Sequence, residues 1–326
     1  MIEDYALFLA KTATVVAATL VVLAALGAQR RRTRSGGWLR ARTLNGIYKQ
    51  RERALGALSP RPWKERVREL VRSARGRADE DGTEAAAKRV FILEFEGDIR
   101  ARAVAALREE VTSILTTVRP EHDEVVIKLE SPGGLVPAYG LAAAQLVRLR
   151  ERGVELTVCV DRVAASGGYL MAAVANRVIA APFALVGSIG VVGSLPNFHR
   201  WLKNRDIDFE QHTAGEHKRT LTVFGENTEE AREKFREDLV SIHEQFKRFI
   251  ARYRPAVDIE EVATGDYWLA EQALERGLVD QLQTSDDYLM AQRHTARLVE
   301  LHYHRREGWS KRLVPIAERL LQWRNP

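Results

Sequence analysis

Residues 90–95 read Val-Phe-Ile-Leu-Glu-Phe, a short and mainly apolar run that is typical of a buried β-strand. Residues 125–129, Val-Val-Ile-Lys-Leu, form a second run of this kind, and residues 101–118 between them have apolar residues at helical spacing. This order predicts a βαβ unit. Because both strands are apolar almost throughout, we expect a parallel sheet with helices on its faces.

The same alternation continues toward the C-terminus. The sequence predicts a helix over residues 138–152, a strand over 155–160, a helix from Ser166 to Ala175, and strands over 178–180 and 208–212. Residues 228–253 predict a long amphipathic helix, with Asn227 and Glu230 as a capping pair. After about Asp287 the pattern weakens into a basic tail. The predicted fold class is α/β.

The composition is that of an ordinary globular protein, with 326 residues, one cysteine and eight histidines. The length is enough for one domain of about 200 residues with extensions. Cys159 lies in an apolar run, so we expect a buried core residue and no disulfide within the chain. The histidines lack the spacing of zinc ligands, and the glycines miss the dinucleotide and phosphate-loop motifs. The sequence therefore predicts no metal site and no cofactor.

The N-terminal segment predicts a membrane anchor. Residues 12–28 contain no charge, and only Lys11 interrupts the apolar stretch that begins at Tyr5. A helix of this length could cross a bilayer. A cleaved signal peptide is the alternative, but Glu3 and Asp4 stand where such a peptide would be basic. We expect an uncleaved, single-pass transmembrane helix.

A strongly basic stretch follows this segment. Residues 30–77 contain sixteen Lys or Arg and three acids, and they largely account for the net charge of +6. Such a stretch is usually a solvated helix face or linker, and beside a membrane it could bind anionic headgroups. Because no nucleic-acid-binding module is present, we expect no nucleic-acid partner. By the positive-inside rule these charges would hold the following domain in the cytoplasm.

Two short motifs follow predicted strands and could carry chemistry. Ser131-Pro132-Gly133-Gly134 is a turn whose glycines allow a close backbone approach and could aim N–H groups at a developing oxyanion. Ser166 lies between small residues where a strand ends and a helix begins. Each motif alone is weak, because Pro-Gly-Gly marks many plain turns and a serine at a helix start is often a cap. A serine nucleophile would also need a base.

The motifs occur together in a recognisable order. Gly133-Gly134 is followed by Ala-Ser-Gly-Gly at 165–168, Gly-Ser-Ile-Gly at 187–190 and Thr-Ala-Gly-Glu-His-Lys-Arg at 213–219. This set resembles the signal peptide peptidase A family of serine peptidases, and within it the SohB branch. Residues 129–134, residues 225–230 and the N-terminal segment resemble that branch too, so the resemblance covers nearly the whole chain.

The resemblance implies a ClpP/crotonase-like core of βαβ units preceded by one N-terminal transmembrane helix. It implies a Ser-Lys dyad in which Ser166 is the nucleophile, Lys218 is the general base and Ser188 holds the lysine. The turn at Gly133 and Gly134 would donate to the oxyanion, together with backbone near Ser166. A lysine must lose its proton to act as a base, which requires burial; otherwise Lys218 is a solvated loop charge.

The resemblance also implies partners, a location and a division of the chain. The substrates would be membrane-associated or unfolded peptides, and the chain would form a homo-oligomer in which serine and lysine can come from neighbouring subunits. The protein would lie in a bacterial-type inner membrane with its catalytic domain in the periplasm, against the charge bias. The expected parts are an anchor (1–28), a basic juxtamembrane linker (29–88), a peptidase domain (89–287) and a basic C-terminal tail (288–326).

Three alternatives remain open. A Ser-His pair could use His217 or His199. A ClpP-like Ser-His-Asp arrangement would place its histidine after the strand that follows the serine helix, at residues 186–191, and neither histidine lies there. A crotonase-like acyl-CoA enzyme would need a carboxylate base beside the Gly133-Gly134 turn and a surface that binds thioesters. A tethered scaffold without activity would need none of these groups.

Overall fold

The computed structural model of the chain describes residues 37–56, 88–215, 218 and 220–305. The predicted anchor therefore lies outside the described residues. Among the helices that are described, none is both long and apolar enough to cross a membrane. The chain divides into two compact units, Ala41–His302 and a second made of Met1–Arg40 with Tyr303–Pro326. The site lies in the unit Ala41–His302.

The second unit is described only at residues 37–40 and 303–305. There the Gly37 amide donates a hydrogen bond to the Tyr303 hydroxyl (2.9 Å), and the ring of Trp38 stacks on that of His304.

Strands and helices alternate along the described chain. In chain order the elements are β1 (Trp38–Thr43), α1 (Leu44–Gly56), β2 (Lys88–Glu96), α2 (Val104–Leu115), β3 (Glu124–Glu130), α3 (Val136–Arg150), β4 (Glu155–Val160), β5 (Val163–Ala165), α4 (Gly167–Ala173), β6 (Arg177–Ala180), β7 (Leu185–Gly187), α5 (His199–Lys203), α6 (Glu229–Tyr253), α7 (Ile259–Val262), β8 (Tyr267–Leu269), α8 (Ala270–Glu275), β9 (Gln281–Leu282), α9 (Ser285–Gln292) and β10 (Ala296–His304).

The main sheet has the strand order β1-β10-β2-β3-β4-β6-β9 among the described residues. The pairs from β10 to β9 are all parallel. Side chains alternate between the two faces of a strand, so the sheet contributes to two separate apolar clusters. In β2, Phe91, Leu93 and Phe95 join one cluster, whereas Val90 and Ile92 join the other.

Helices cover both faces of this sheet. Side chains of α2, α3 and α4 pack into the first cluster, and those of α1 and α9 pack against the second. Helices on both faces explain why the strands are apolar almost throughout. Burial of each aliphatic side chain in these two clusters stabilises the folded state by about 1.5–3 kcal/mol. The α/β prediction with a parallel sheet is confirmed.

A small sheet joins the carboxyl end of β3. Its order is β5-β7-β8, with β5 and β7 parallel and β7 and β8 antiparallel. The Ser131 amide donates to the Val163 carbonyl oxygen (2.8 Å), and the Ala165 amide donates to the Ser131 carbonyl oxygen (2.9 Å). These two hydrogen bonds bring the turn after β3 beside the end of β5.

Most of the predicted strands and helices are confirmed. The exception among the strands is residues 208–212, which are exposed and form no strand in the described chain, so that prediction is wrong. The predicted capping pair of α6 is also wrong. Thr228 is the N-cap and accepts from the Ala231 amide (3.2 Å), while the Asn227 side chain is bonded to the Thr222 backbone.

The flanking regions carry more structure than their sequence indicates. β1 and α1 lie within the basic stretch, and β10 lies within the expected C-terminal tail. β10 pairs with β2, and its Leu298 and Leu301 are buried in the core. The sequence of β10 has only a weak strand pattern. It can still form a strand because β2 supplies its hydrogen-bond partners.

Candidate active site

Ser166 lies at the junction between β5 and α4 in a conformation that is rare for a side-chain-bearing residue. Its φ is 51° and its ψ is −119°. A non-glycine residue in such a region costs of order 1–3 kcal/mol and persists only where its surroundings hold it. The Ser166 amide donates to the Gly187 carbonyl oxygen (2.8 Å), and its carbonyl oxygen accepts from the Leu170 amide (2.9 Å). Both neighbouring elements therefore hold this junction.

The Ser166 hydroxyl does not cap the helix that it precedes. It makes no capping hydrogen bond to α4, and it has no hydrogen-bond partner among the described residues. The residue is partly exposed. Ser166 therefore occupies the N-cap position of α4, but its side chain does not cap the helix.

Gly133 contacts this serine directly. Its φ is +90°, and a Cβ atom there would lie 2.8 Å from Ser166 Cβ and 2.9 Å from the Gly167 nitrogen. Only glycine allows both this backbone angle and this close approach. The tertiary structure thus brings together two of the predicted site residues, which are 33 positions apart in sequence.

The backbone amides of the turn differ in their hydrogen bonding. The Gly133 amide donates to Ser131 Oγ (3.1 Å), so it is already engaged. Within the described residues, the amides of Gly134 and Gly167 have no acceptor. Gly134 is also packed closely, because a Cβ atom there would lie 2.2 Å from the Ile99 carbonyl oxygen. Gly167 directly follows Ser166, and Gly134 directly follows the glycine that contacts Ser166, so these two amides are the candidate oxyanion donors.

Ser188 directly follows Gly187, whose carbonyl oxygen accepts the hydrogen bond from the Ser166 amide. It follows Gly187 at the end of β7, has a φ of 51°, and its amide donates to the Asp266 carbonyl oxygen (2.6 Å). Its side chain is partly exposed and has no hydrogen-bond partner among the described residues. The structure therefore brings Ser188 close to the serine junction without pairing it with Lys218.

Lys218 is exposed and lines a cavity of about 610 Å³ together with residues of the preceding and following loop: Phe209, Gln211, His212, Thr213, Ala214, Thr222, Val223 and Phe224. Its amide donates to the Gly215 carbonyl oxygen (3.2 Å). Neither Ser166 nor Ser188 lines this cavity. Within one described chain, the structure does not bring the lysine into contact with the serine.

The other candidate bases are not paired with Ser166 either. His199 begins α5 and is partly exposed, and its amide donates to Asn197 Oδ1 (3.2 Å). His217 lies outside the described residues. Sequence reasoning overlooked His243, whose Nε2 lies 3.3 Å from the Ile189 carbonyl oxygen, next to Ser188. The sequence places His243 four residues after Leu239 and three before Phe246, on the apolar face of α6, and this spacing could have indicated it.

The carboxylates beside the turn are occupied by arginines. Asp98 Oδ2 accepts from Arg102 (2.6 Å), and Glu130 Oε1 lies 3.1 Å from Arg162. Hydrogen bonds from Arg102 hold the pKa of Asp98 below its usual range. A carboxylate held as the ion-pair partner of an arginine is a poor general base.

A second cavity, of about 760 Å³, lies at the amino ends of the central strands. Its lining includes Lys88, Glu124 and Glu155, which begin their strands, together with Tyr288 of α9. Glu124 is buried and accepts hydrogen bonds from Lys88, Thr157 and Tyr288. Since β3 separates Glu124 from Ser131 by roughly 20 Å, this cavity is not part of the serine site. In the described chain, no group of three or more His, Cys, Asp and Glu side chains is arranged to hold a metal ion.

Comparison with known proteins identifies the family of this chain. The model described as Peptidase family S49 matches residues 148–299, and the one described as Peptidase family S49 N-terminal matches residues 1–146. "Probable protease SohB" of Buchnera aphidicola subsp. Acyrthosiphon pisum is 53% identical over 216 residues, which are 66% of this chain and 64% of that protein.

Two further relatives support the assignment. "Probable protease SohB" of Haemophilus influenzae is 48% identical over 70% of this chain and 65% of its own length. "Protease 4" of Salmonella typhi is 31% identical over 56% of this chain and 30% of its own length. The chain thus spans somewhat less than two thirds of the curated SohB proteins that it matches. Both halves of the chain match models of one family, and the chain belongs to peptidase family S49.

Proposed function

We propose that this protein is a serine endopeptidase in which Ser166 is the nucleophile and Lys218 is the general base. The observation that carries the proposal is Ser166 itself, whose strained backbone is held from both sides while its hydroxyl has no partner among the described residues. Strain of this kind is retained where it presents a reactive group. The names of the relatives, "Probable protease SohB" and "Protease 4", support peptide hydrolysis.

The proposed reaction uses two backbone amides. Neutral Lys218 takes the hydroxyl proton as Ser166 Oγ bonds to the carbonyl carbon of the substrate, and the amides of Gly134 and Gly167 donate to the resulting oxyanion. The C–N bond then breaks while Lys218 returns the proton to the leaving nitrogen. Water then attacks the acyl carbon while Lys218 accepts its proton, and Lys218 returns this proton to Ser166 Oγ as the acyl C–O bond breaks. Gly133 holds the turn rather than donating to the oxyanion.

The exposure of Lys218 supports an oligomeric site. A lysine works as a base only where it is desolvated, and the described residues of one chain leave Lys218 exposed. Large apolar side chains on the same segment are exposed as well: Leu195, Phe198, Trp201, Ile207, Phe209 and Phe224. Exposed apolar surface of this kind marks interaction sites. The proposal is that a second copy covers this segment and that Ser166 meets the Lys218 of its neighbour.

The remaining parts of the proposal concern the fold and the membrane. A parallel sheet with a small sheet at the carboxyl end of β3 supports the ClpP/crotonase-like core. The apolar N-terminal segment supports a single-pass membrane anchor. The periplasmic side of an inner membrane is proposed from the resemblance to the signal peptide peptidase A family, against the charge bias of the basic stretch. Protease added to spheroplasts should then digest the domain. Protection until the cells are lysed would place the domain in the cytoplasm.

The central experiment measures hydrolysis of labelled casein by the purified full-length chain and its variants. Ser166→Ala and Lys218→Ala should each abolish hydrolysis. Lys203→Ala is the matched control, because Lys203 is an exposed lysine of the same segment that pairs with Asp208. Hydrolysis that survives in Ser166→Ala would contradict the proposal. A serine-directed fluorophosphonate that labels wild type but not Ser166→Ala would separate a peptidase from an inactive scaffold.

A further inference from the structure

Tyr139 is a buried tyrosine of α3 that lies under the serine site. Its side chain is fully buried, and its ring packs edge-on against Phe95 of β2 (centroids 6.5 Å apart). The Tyr139 hydroxyl contacts both Ser131 Oγ (2.6 Å) and the Asp98 carbonyl oxygen (2.9 Å). The sequence shows only an aromatic residue on a helix face, which is typical of a core position.

The hydrogen bonds of this tyrosine have a defined direction. A phenol has one proton, and the Asp98 carbonyl oxygen can only accept, so the phenol donates to Asp98. The Ser131 hydroxyl must then donate to the Tyr139 oxygen, which leaves Ser131 Oγ to accept from the Gly133 amide. One continuous chain of hydrogen bonds therefore runs from the oxyanion turn to the start of the loop after β2. Burial raises the pKa of Tyr139, which keeps the phenol protonated as this chain requires.

The same side chain also supports the serine junction. A Cβ atom at Gly167 would lie 2.4 Å from Tyr139 Cγ, so the ring packs directly under the residue that follows Ser166. Gly97 is packed equally closely, because a Cβ atom there would lie 2.4 Å from the Tyr139 hydroxyl oxygen. Tyr139 thus contacts both the turn that contains Gly134 and the backbone of Gly167, whose amides have no acceptor in the part of the chain that is described.

We infer that Tyr139 is a positioning residue for the oxyanion donors: it holds the Gly133–Gly134 turn through Ser131 and the Gly167 backbone by direct packing. This inference rests on the proposed peptidase function. The chain of hydrogen bonds engages the Gly133 amide internally, whereas the next amide, that of Gly134, has no acceptor among the described residues and is the proposed oxyanion donor. Oxyanion donors act only when they are already aligned on the transition state, so small displacements of this turn reduce turnover more than substrate binding.

The test compares Tyr139→Phe with Tyr169→Phe. Tyr169 is the matched control, because it is equally buried and its hydroxyl also donates to a backbone carbonyl, that of Leu278 (3.0 Å), which lies outside the site. On an internally quenched peptide that wild type cleaves, Tyr139→Phe should lower kcat roughly tenfold or more and change KM less than about twofold. Tyr169→Phe should leave kcat within about twofold of wild type.

A second measurement isolates the oxyanion. A peptide boronate, which forms a tetrahedral adduct with the serine, should bind Tyr139→Phe roughly tenfold more weakly than wild type, while the matching peptide amide binds both equally. Ser131→Ala removes the hydroxyl that links Tyr139 to the Gly133 amide, and it should weaken boronate binding to the same extent. The double variant should be no worse than Ser131→Ala alone.

The outcomes separate this inference from the proposed function. If wild type cleaves the peptide in a Ser166-dependent manner but Tyr139→Phe and Ser131→Ala match Tyr169→Phe in kcat, the positioning role is overturned and the peptidase remains. If wild type shows no Ser166-dependent cleavage, both fall. Should Tyr139→Phe fail to fold, Ser131→Ala and its boronate affinity decide the question.

Discussion

The Ser166 amide donates a hydrogen bond of 2.8 Å to the carbonyl oxygen of Gly187. This bond joins the start of α4 to the end of β7, and Gly187 itself has a φ of 113°. The small sheet therefore fixes the backbone of the serine junction from one side while Gly133 contacts it from the other. The candidate nucleophile is thus held by long-range contacts as well as by its own helix.

Ser166→Gly should stabilise the protein while abolishing cleavage. Glycine adopts the observed φ of 51° without the strain that serine bears, so we expect a gain of about 1 kcal/mol in the free energy of unfolding. Ser166→Ala keeps the strain and is the control, with stability close to that of wild type. Urea denaturation of the three proteins measures the difference. Equal midpoints for the glycine and alanine variants would show that the junction is not strained.

Gly133→Ala should disrupt the site and the fold around it. The added Cβ would lie 2.8 Å from both Ser166 Cβ and the Ala165 carbonyl oxygen, at a φ of +90°. We expect a loss of about 2–4 kcal/mol in stability and no cleavage. Gly140→Ala is the control: a Cβ there meets nothing within 4 Å, and on helix α3 it should stabilise by about 0.5–1 kcal/mol. Thermal unfolding that ranks the two variants in the opposite order would contradict this interpretation.

Mixing two inactive variants should restore activity. If Ser166 of one copy meets Lys218 of the next, then combined Ser166→Ala and Lys218→Ala chains contain sites with both groups intact. For random mixing in a head-to-tail ring, roughly a quarter of wild-type activity is expected. The measurement is casein hydrolysis after the two proteins are unfolded and refolded together, with each refolded alone as the control. A mixture as inactive as its components would mean that both groups come from one chain.

Asp123 should make stability depend on pH on the acidic side. Its carboxylate is buried; burial alone would raise its pKa, but hydrogen bonds from Arg119 and Arg89 outweigh burial and hold the pKa well below its usual range. The unfolded chain therefore takes up this proton first. The contribution of Asp123 is complete above the ordinary aspartate pKa of about 4 and is lost as the pH falls toward the lower folded pKa.

The measurement for Asp123 is urea denaturation at several pH values between 3 and 7. Asp123→Asn should cost about 1–3 kcal/mol at neutral pH and less at pH 3, so the two stability curves converge as the pH falls. Asp208→Asn is the control, because Asp208 is an exposed partner of Lys203. Parallel curves for wild type and Asp123→Asn would contradict the assigned pKa direction.

The sequence predicts the central strands well because their signal is local. β2, β3, β4 and β6 are short apolar runs, and helices cover both of their faces. Residues 208–212 form no strand, and none of the described strands pairs with them. β10 is the opposite case, since its residues have a weak pattern but β2 provides the partner. Pairing partners are a property of the fold and are not encoded in the strand alone.

The sequence by itself determined the α/β alternation, the glycines of the turn and the serine at a strand-to-helix junction, because each depends on residue type and short-range spacing. Only the tertiary structure decided that Gly133 touches Ser166 and that its amide is engaged by Ser131. It also decided that Tyr139 lies beneath both segments, and that Lys218 is exposed in one chain. These relationships join residues far apart in sequence, and they follow from how the sheets and helices pack rather than from any one segment.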